Sequence, residues 1–219
     1  VCVSENESVL SVAEEKHPKT HANVISFLID SALRKADCNS NDLDAVSVSK
    51  GPGSYTGLRI GVSAAKGICY ALSKPLISVS SILSMAAYFK STRISHDVPA
   101  GERIVFVPLI DAKRMEVYSA VVDFKLNFLT EPKAELLTEN SFLFLEDAFD
   151  TIYFFGDGCV KLKKLNSNIK KAIFVESFLP SSCGMAPFSF RSIQERNFEN
   201  LAYFEPFYLK DFISQSTKI

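Results

Sequence analysis

The sequence predicts an α/β fold in two lobes, and three observations carry that prediction. β-type runs alternate with segments of helical apolar spacing along nearly the whole chain. A strand-like run, a glycine-rich loop and a helical stretch succeed one another between Leu43 and Leu72. A polar, aperiodic segment at residues 91–102 separates a first lobe, residues 1–90, from a second, residues 103–219. The 219 residues are enough for a substantial core. With 47% hydrophobic and 22% charged residues, disorder is excluded. No apolar run approaches the roughly 18–20 residues of a membrane-spanning helix.

The elements follow in order. Val1–Val3 and Val9–Val12 read as a hairpin around a polar turn. From Thr20 to Ala36, Val24, Ile25, Phe27, Leu28, Ala32 and Leu33 recur at helical spacing. Leu43–Ser49 is β-rich, Thr56–Leu72 is helical, Leu76–Val79 is a strand, and Ser80 or Ser81 caps a helix to Lys90. In the second lobe, Ile104–Ile110 reads as a fully buried strand and Met115–Phe124 as an alternating one. A helix is expected over Ser141–Phe149, strands at Ile152–Phe155 and Ala172–Val175 around a Gly156-Asp157-Gly158 turn, and a last helix within Ser189–Phe198. An aromatic-rich tail, Ala202–Leu209, follows and is expected to return toward the first lobe.

Charge and cysteines bound the function. Twenty-four Lys and Arg stand against 25 Asp and Glu, a net charge of −1, so no global field holds a polyanion, and an RNA-related role needs a partner or a local patch. Five cysteines, odd in number and without a C-x-x-C pair, read as reduced thiols of a cytoplasmic protein. No export signal is visible, and the opening in mid-strand suggests a missing leading segment.

The sharpest motif is the glycine loop formed by Lys50, Gly51, Pro52, Gly53, Ser54, Tyr55, Thr56, Gly57 and Arg59. A strand-to-helix junction presents free N–H groups and a positive dipole end, which suits an anion or nucleotide. Its spacing matches neither G-x-x-x-x-G-K-[ST] nor the dinucleotide fingerprint, and a tight structural turn capped by Ser54 or Thr56 explains it better than a nucleotide site does. Arg59, in the first helical turn, opposes the dipole and calls for a carboxylate or a bound anion. The following helix carries small residues four apart, Gly57, Gly61 and Ala65 in one row and Ser63, Gly67 and Ala71 in another. These rows suit close packing on the chain's own sheet or on a second subunit.

Other constellations are weaker. His17 and His21 are four apart but lack the Glu of a zinc protease, and Pro18 disrupts helix there. No Ser-His-Asp order or nucleophile elbow occurs. Lys161, Lys163, Lys164, Lys170 and Lys171 form a basic cluster, read as a solvated face or, alternatively, as a contact for RNA phosphate. Asp111 at a strand end suits a turn better than catalysis.

Residues 46–67, VSVSKGPGSYTGLRIGVSAAKG, closely resemble the TsaB (YeaZ) family, the paralogue of the tRNA threonylcarbamoyltransferase TsaD. The resemblance extends to His21, to Ile110–Tyr118, to Gly156-Asp157-Gly158 and to Tyr203–Lys210, and so covers nearly the whole chain. It implies an actin-like, sugar-kinase-like fold (ASKHA, with the ribonuclease H-like motif) of two related lobes, here without the family's first strand and its Asp-Thr turn. It implies a non-catalytic subunit that binds and activates TsaD, with the ATPase TsaE docking on the pair, to make threonylcarbamoyladenosine beside the anticodon of tRNAs reading ANN codons. ATP or ADP and a metal would belong to the partner subunits, with no cofactor in this chain, and tRNA would be met only through the complex. His21, Val24, Leu28, Leu58, Gly61, Val62, Ala65 and Cys69 would form the partner interface, which would serve a homodimer in isolation. Two other classes compete: a nucleotide-dependent phosphotransferase or ATPase using Lys50–Arg59, and a glycoprotease-type metallopeptidase resting on His17 and His21.

Overall fold

The computed structural model of the chain describes residues 1–15, 21–94, 99, 101–165 and 168–210. Strands β1 (Cys2–Glu5) and β2 (Ser8–Val12) form an antiparallel hairpin, its turn made by Asn6 at a φ of 53°. Helix α1 (His21–Lys35) lies on it, with Ala32 sealed against Val3 and Ala13. Ser11 Oγ–H donates to Ala32 O at 2.6 Å, which anchors the helix to the hairpin. Strands β3 (Val46–Gly51) and β4 (Leu76–Ser80) pair in parallel, joined by helix α2 (Tyr55–Leu72). Such a parallel pair needs a crossover, and α2 supplies it. Its C-terminus closes at Ser73 in the left-handed conformation, whose N–H donates to Cys69 O.

Helix α3 (Ser81–Arg93) leads to β5 (Ile104–Asp111), the centre of a six-stranded mixed sheet. Its other strands are β6 (Glu116–Ser119), β7 (Val122–Asp123), β8 (Lys133–Leu136), β9 (Thr151–Phe155) and β10 (Ala172–Val175). β10, β9 and β5 are parallel, β6 and β8 continue antiparallel, and β7 also pairs with β5. β5 is covered on both faces, which is why it reads as an unbroken apolar run. Ile104 and Phe106 face α3, where Phe89 stacks on Phe155 with centroids 4.0 Å apart. Val105, Val107 and Leu109 face the opposite core with Leu162 of helix α4 (Cys159–Leu165) and Leu145. Helix α5 (Ala186–Gln194) begins with Pro187 in its first turn and packs near β4.

Several expectations shift. Ser141–Phe149 forms only a 3₁₀ turn at Leu143–Leu145, because Phe142 turns inward at a φ of 67° and breaks the helical run. Met115–Phe124 is two strands, β6 and β7, interrupted at Ala120-Val121. β8 and α4 were not foreseen, the latter hidden inside the lysine-rich segment. The last helix starts earlier, at Ala186. Helix α3 runs to Arg93, so the first residues of the expected linker are its last turn. Ile82, Met85 and Phe89 bury themselves in the core of the six-stranded sheet, so α3 joins the two halves.

Candidate functional site

The glycine loop lies where β3 gives way to α2, and the chain's own tail is seated on it. Ser54 is the N-cap of α2, its Oγ accepting from Gly57 N–H at 3.4 Å. Gly51 ends β3 at a φ of +110°, and a Cβ there would lie 2.7 Å from Phe207 O and 3.1 Å from Leu58 Cδ1. Glycine is required at this position by both backbone and space. The bond after it, Gly51–Pro52, is cis. Phe207 N–H donates to Lys50 O at 2.7 Å.

The tail crosses α2 residue by residue. Glu199 N–H donates to Leu76 O at 2.8 Å, and its carboxylate accepts from Ser78 Oγ–H at 2.5 Å. Lys66 Nζ donates to the carbonyls of Ala202 and Phe204 at 3.2 and 3.1 Å. Tyr208 lies against Tyr55, centroids 4.8 Å apart, and accepts from Arg59 Nε at 3.3 Å. The Arg59 guanidinium also sits 4.1 Å from the Tyr55 ring centroid. Thus Arg59 is neither carboxylate-paired nor free: the Tyr208 hydroxyl raises its already high pKa, with Tyr55 adding to the effect. Beyond Tyr208, Lys210 pairs with Glu116 on β6.

The expected partner interface is corrected in most of its members. Leu58, Val62, Ala65 and Cys69 are buried in this chain's own core with Val48 and Leu76. A Cβ on Gly61 would sit 3.6 Å from Val48 Cγ2, so that small-residue row faces the chain's own sheet. Leu28 packs half-buried on the hairpin, and Val24 is half-buried too. His21 opens α1, but its side chain and all of His17 fall outside the described residues. The row left on the surface is Ser63, Gly67 and Ala71, with nothing within 4 Å of a Cβ on Gly67. Two further large residues are exposed on these helices, Tyr70 at 82% on α2, one turn from Gly67, and Phe27 at 75% on α1. Phe27 belongs to the apolar residues that recur along the first helix, yet it is exposed rather than buried on the hairpin.

The remaining candidates resolve into internal partners. Asp111 accepts from Lys161 Nζ and from Lys113 N–H, both at 2.6 Å. Burial works to raise its carboxyl pKa, but these donors outweigh it and hold the group below the ordinary carboxylate value. Lys163 pairs with Glu176 at 2.5 Å, and Lys171 Nζ caps the carbonyls of Glu146 and Phe149 at 3.0 and 2.8 Å. Most of the basic cluster is therefore spent on the fold. Among the described residues, no group of three or more His, Cys, Asp or Glu is placed to hold a metal. Among them too, no helix is long and apolar enough to cross a membrane.

These features define an α/β protein in which a parallel pair with a glycine-loop crossover is strapped by the C-terminal segment to a larger mixed sheet. The sequence pattern of TsaD, described as tRNA N6-adenosine threonylcarbamoyltransferase, matches residues 11–212, and the chain belongs to that family. It is 33% identical over 116 residues to the tRNA threonylcarbamoyladenosine biosynthesis protein TsaB of Bacillus subtilis, covering 52% of this chain and 45% of that protein. The matches to curated TsaB relatives thus span less than half of those proteins' length. The fold is similar to that of an uncharacterized protein with similarity to peptidase YEAZ from Pseudomonas aeruginosa, with a TM-score of 0.74, 20% identity, and coverage of 90% of this chain and 87% of that one. It is similar also to YeaZ from Pseudomonas aeruginosa, with a TM-score of 0.70, 19% identity, and coverage of 86% and 85%.

Proposed function

We propose that this chain is an accessory subunit in the threonylcarbamoylation of tRNA, binding and activating a TsaD-type transferase rather than carrying out the transfer. The observation that carries this reading is the open face of α1 and α2. The bare row Ser63-Gly67-Ala71 with Tyr70 on α2 lets a second helix approach closely, and Tyr70 and the exposed Phe27 of α1 offer apolar area to bury. The relatives, tRNA threonylcarbamoyladenosine biosynthesis proteins, supply the pathway. In this reading the fold is the actin-like arrangement of two lobes, and the substrate is the adenosine beside the anticodon of ANN-reading tRNAs. TsaE, ATP or ADP and the metal act in the partner subunits in the cytoplasm, and the same face makes a homodimer when the transferase is absent. The competing nucleotide-enzyme reading of Lys50–Arg59 is disfavoured because Phe207 and Tyr208 are packed onto that loop.

Light-scattering size exclusion of the chain, alone and mixed with a TsaD-type transferase, tests the proposal. A one-to-one complex forming at the expense of any homodimer is the expected result. Gly67→Leu should abolish association at unchanged melting temperature, whereas Gly61→Leu, which drives a side chain at Val48, should destabilise the fold. A chain that alone makes modified tRNA from threonylcarbamoyl-adenylate would overturn the accessory role. Absence of a complex together with ATP binding by calorimetry would restore the nucleotide reading.

A further inference from the structure

The hairpin between β5 and β6 carries charge on an unfavourable backbone. Lys113 and Arg114 have φ of 69° and 50°, a region that L side chains disfavour and that hairpin turns ordinarily assign to Asn or Gly. Glu116 N–H donates to Lys113 O and Ala112 N–H to Glu116 O, both at 3.1 Å, so Arg114 is the first central residue of the closing turn. Asparagine followed by glycine would take these backbone angles with less strain, and what the cations return to the hairpin is the Coulombic support that Lys113 adds to the Asp111 carboxylate.

The tip is also braced. Asp111 Oδ1 holds Lys113 N–H and the Lys161 ammonium, while Asp111 N–H donates to Asp157 Oδ1 at 2.8 Å. Lys161 donates a second bond, to Glu116 O at 3.1 Å, and Lys210 pairs with the Glu116 carboxylate. The carboxylates of Asp111 and Glu116 are thus paired with Lys161 and Lys210, Lys113 adds a longer-range attraction to Asp111, and Asp157 accepts from a backbone N–H and keeps its charge. Among the described residues, the exposed side chains of Lys113 and Arg114 make no hydrogen bond or ion pair. Lys164, three residues along α4 from Lys161 and exposed, adds to the positive side.

We propose that this turn is a phosphate-contacting point for RNA, with the Arg114 guanidinium and the Lys113 ammonium taking phosphodiester oxygens of the tRNA backbone. The proposal rests on the functional reading above, which supplies the RNA. At a net charge of −1 the chain attracts a polyanion only through such local points, and a strained, braced pair of exposed cations with no ion pair or hydrogen bond of their side chains among the described residues is one. The contact positions RNA and reads no sequence.

The test is the double variant K113N/R114G, which removes both charges and installs the residues this backbone favours. Its melting temperature should equal or exceed that of the parent. Fluorescence anisotropy of a labelled tRNA with an ANN-reading anticodon is titrated with the full chain, alone and with a TsaD-type transferase. The variant should bind more weakly, with the slope of log Kobs against log salt reduced by about 1.4 to 1.8, and equally for tRNAs of different sequence. Unchanged affinity and slope would overturn the proposal, as would failure of the parent to bind tRNA at low salt in either setting. Co-elution with the transferase is read separately. Its loss in the parent refutes the accessory-subunit reading, while the comparison on the chain alone still decides the turn. Its loss only in the variant, with RNA binding intact, assigns the turn to protein contact and overturns the RNA role. If the melting temperature falls, K113Q/R114Q is judged by the same criteria.

Discussion

Replacing Gly51 by Ala tests how the tail and the glycine loop depend on each other. A φ of +110° is strained for any L residue, at a cost of about 1–3 kcal/mol. The new Cβ would also lie 2.7 Å from Phe207 O, so that carbonyl must retreat to at least the 3.4 Å of ordinary contact. The retreat weakens the Phe207 N–H bond to Lys50 O, worth about 0.5–1.5 kcal/mol net. Together these predict a loss of about 2–4 kcal/mol. For a chain of this size, a 3 kcal/mol loss lowers the melting temperature by about 6–12 °C. Limited proteolysis of the same variant should cut the tail earlier than in the parent. Gly53→Ala in the same loop is the control: its φ is not positive, nothing lies within 4 Å of its Cβ, and its effect should stay within about 0.5 kcal/mol. A G51A protein melting within about 2 °C of the parent, or a G53A protein falling as far, would refute the packing argument. The second outcome would instead suit a loop whose glycines serve a bound phosphate.

Two further predictions concern pH. Arg103 donates to Asp150 from its side chain and its backbone N–H and pulls that carboxyl down to about 2. Because the folded value lies below the unfolded one, the stabilisation is present above about pH 4 and is lost as pH falls toward 2; D150N should remove that part of the acid limb seen by circular dichroism. An acid limb identical in D150N would dismiss the pair's role. Burial pushes the Cys159 thiol up to about 12, so its contribution is complete below about pH 8.5 and declines as pH rises toward 12. C159A should flatten the alkaline limb, and in the parent Cys159 should react with a thiol reagent only at the rate of unfolding; rapid labelling of Cys159 in the native protein would contradict its burial.

Legibility in the sequence followed the range of the interaction. Helices α1 and α2 were readable because their period is local, as was the buried strand β5, whose continuous apolar run reflects cover on both faces. Helix α4 was obscured because its lysines read as a solvated cluster, although Lys161 turns toward Asp111 and Leu162 into the core. That Leu58, Val62, Ala65 and Cys69 are buried in the chain's own core was obscured for a related reason. Two small-residue rows on α2 are equivalent in sequence, and only the position of Val48 decides that Gly61 faces inward and Gly67 outward. Arg59 showed that it needed a partner, but a tyrosine 149 residues away cannot be found by periodicity.

The sequence by itself determined the α/β alternation, the crossover helix with its serine cap, and the family resemblance, because these depend on spacing and on contiguous motifs. Only the tertiary structure decided that the aromatic tail is seated on the glycine loop and that Lys161 and Lys163 of the lysine cluster pair with Asp111 and Glu176 within the fold. It alone decided, too, that among the described residues the side chains of Lys113 and Arg114 make no hydrogen bond or ion pair. The physical reason is that burial, close backbone approach and ion pairing depend on which distant segments meet, and long-range packing, not local propensity, sets that.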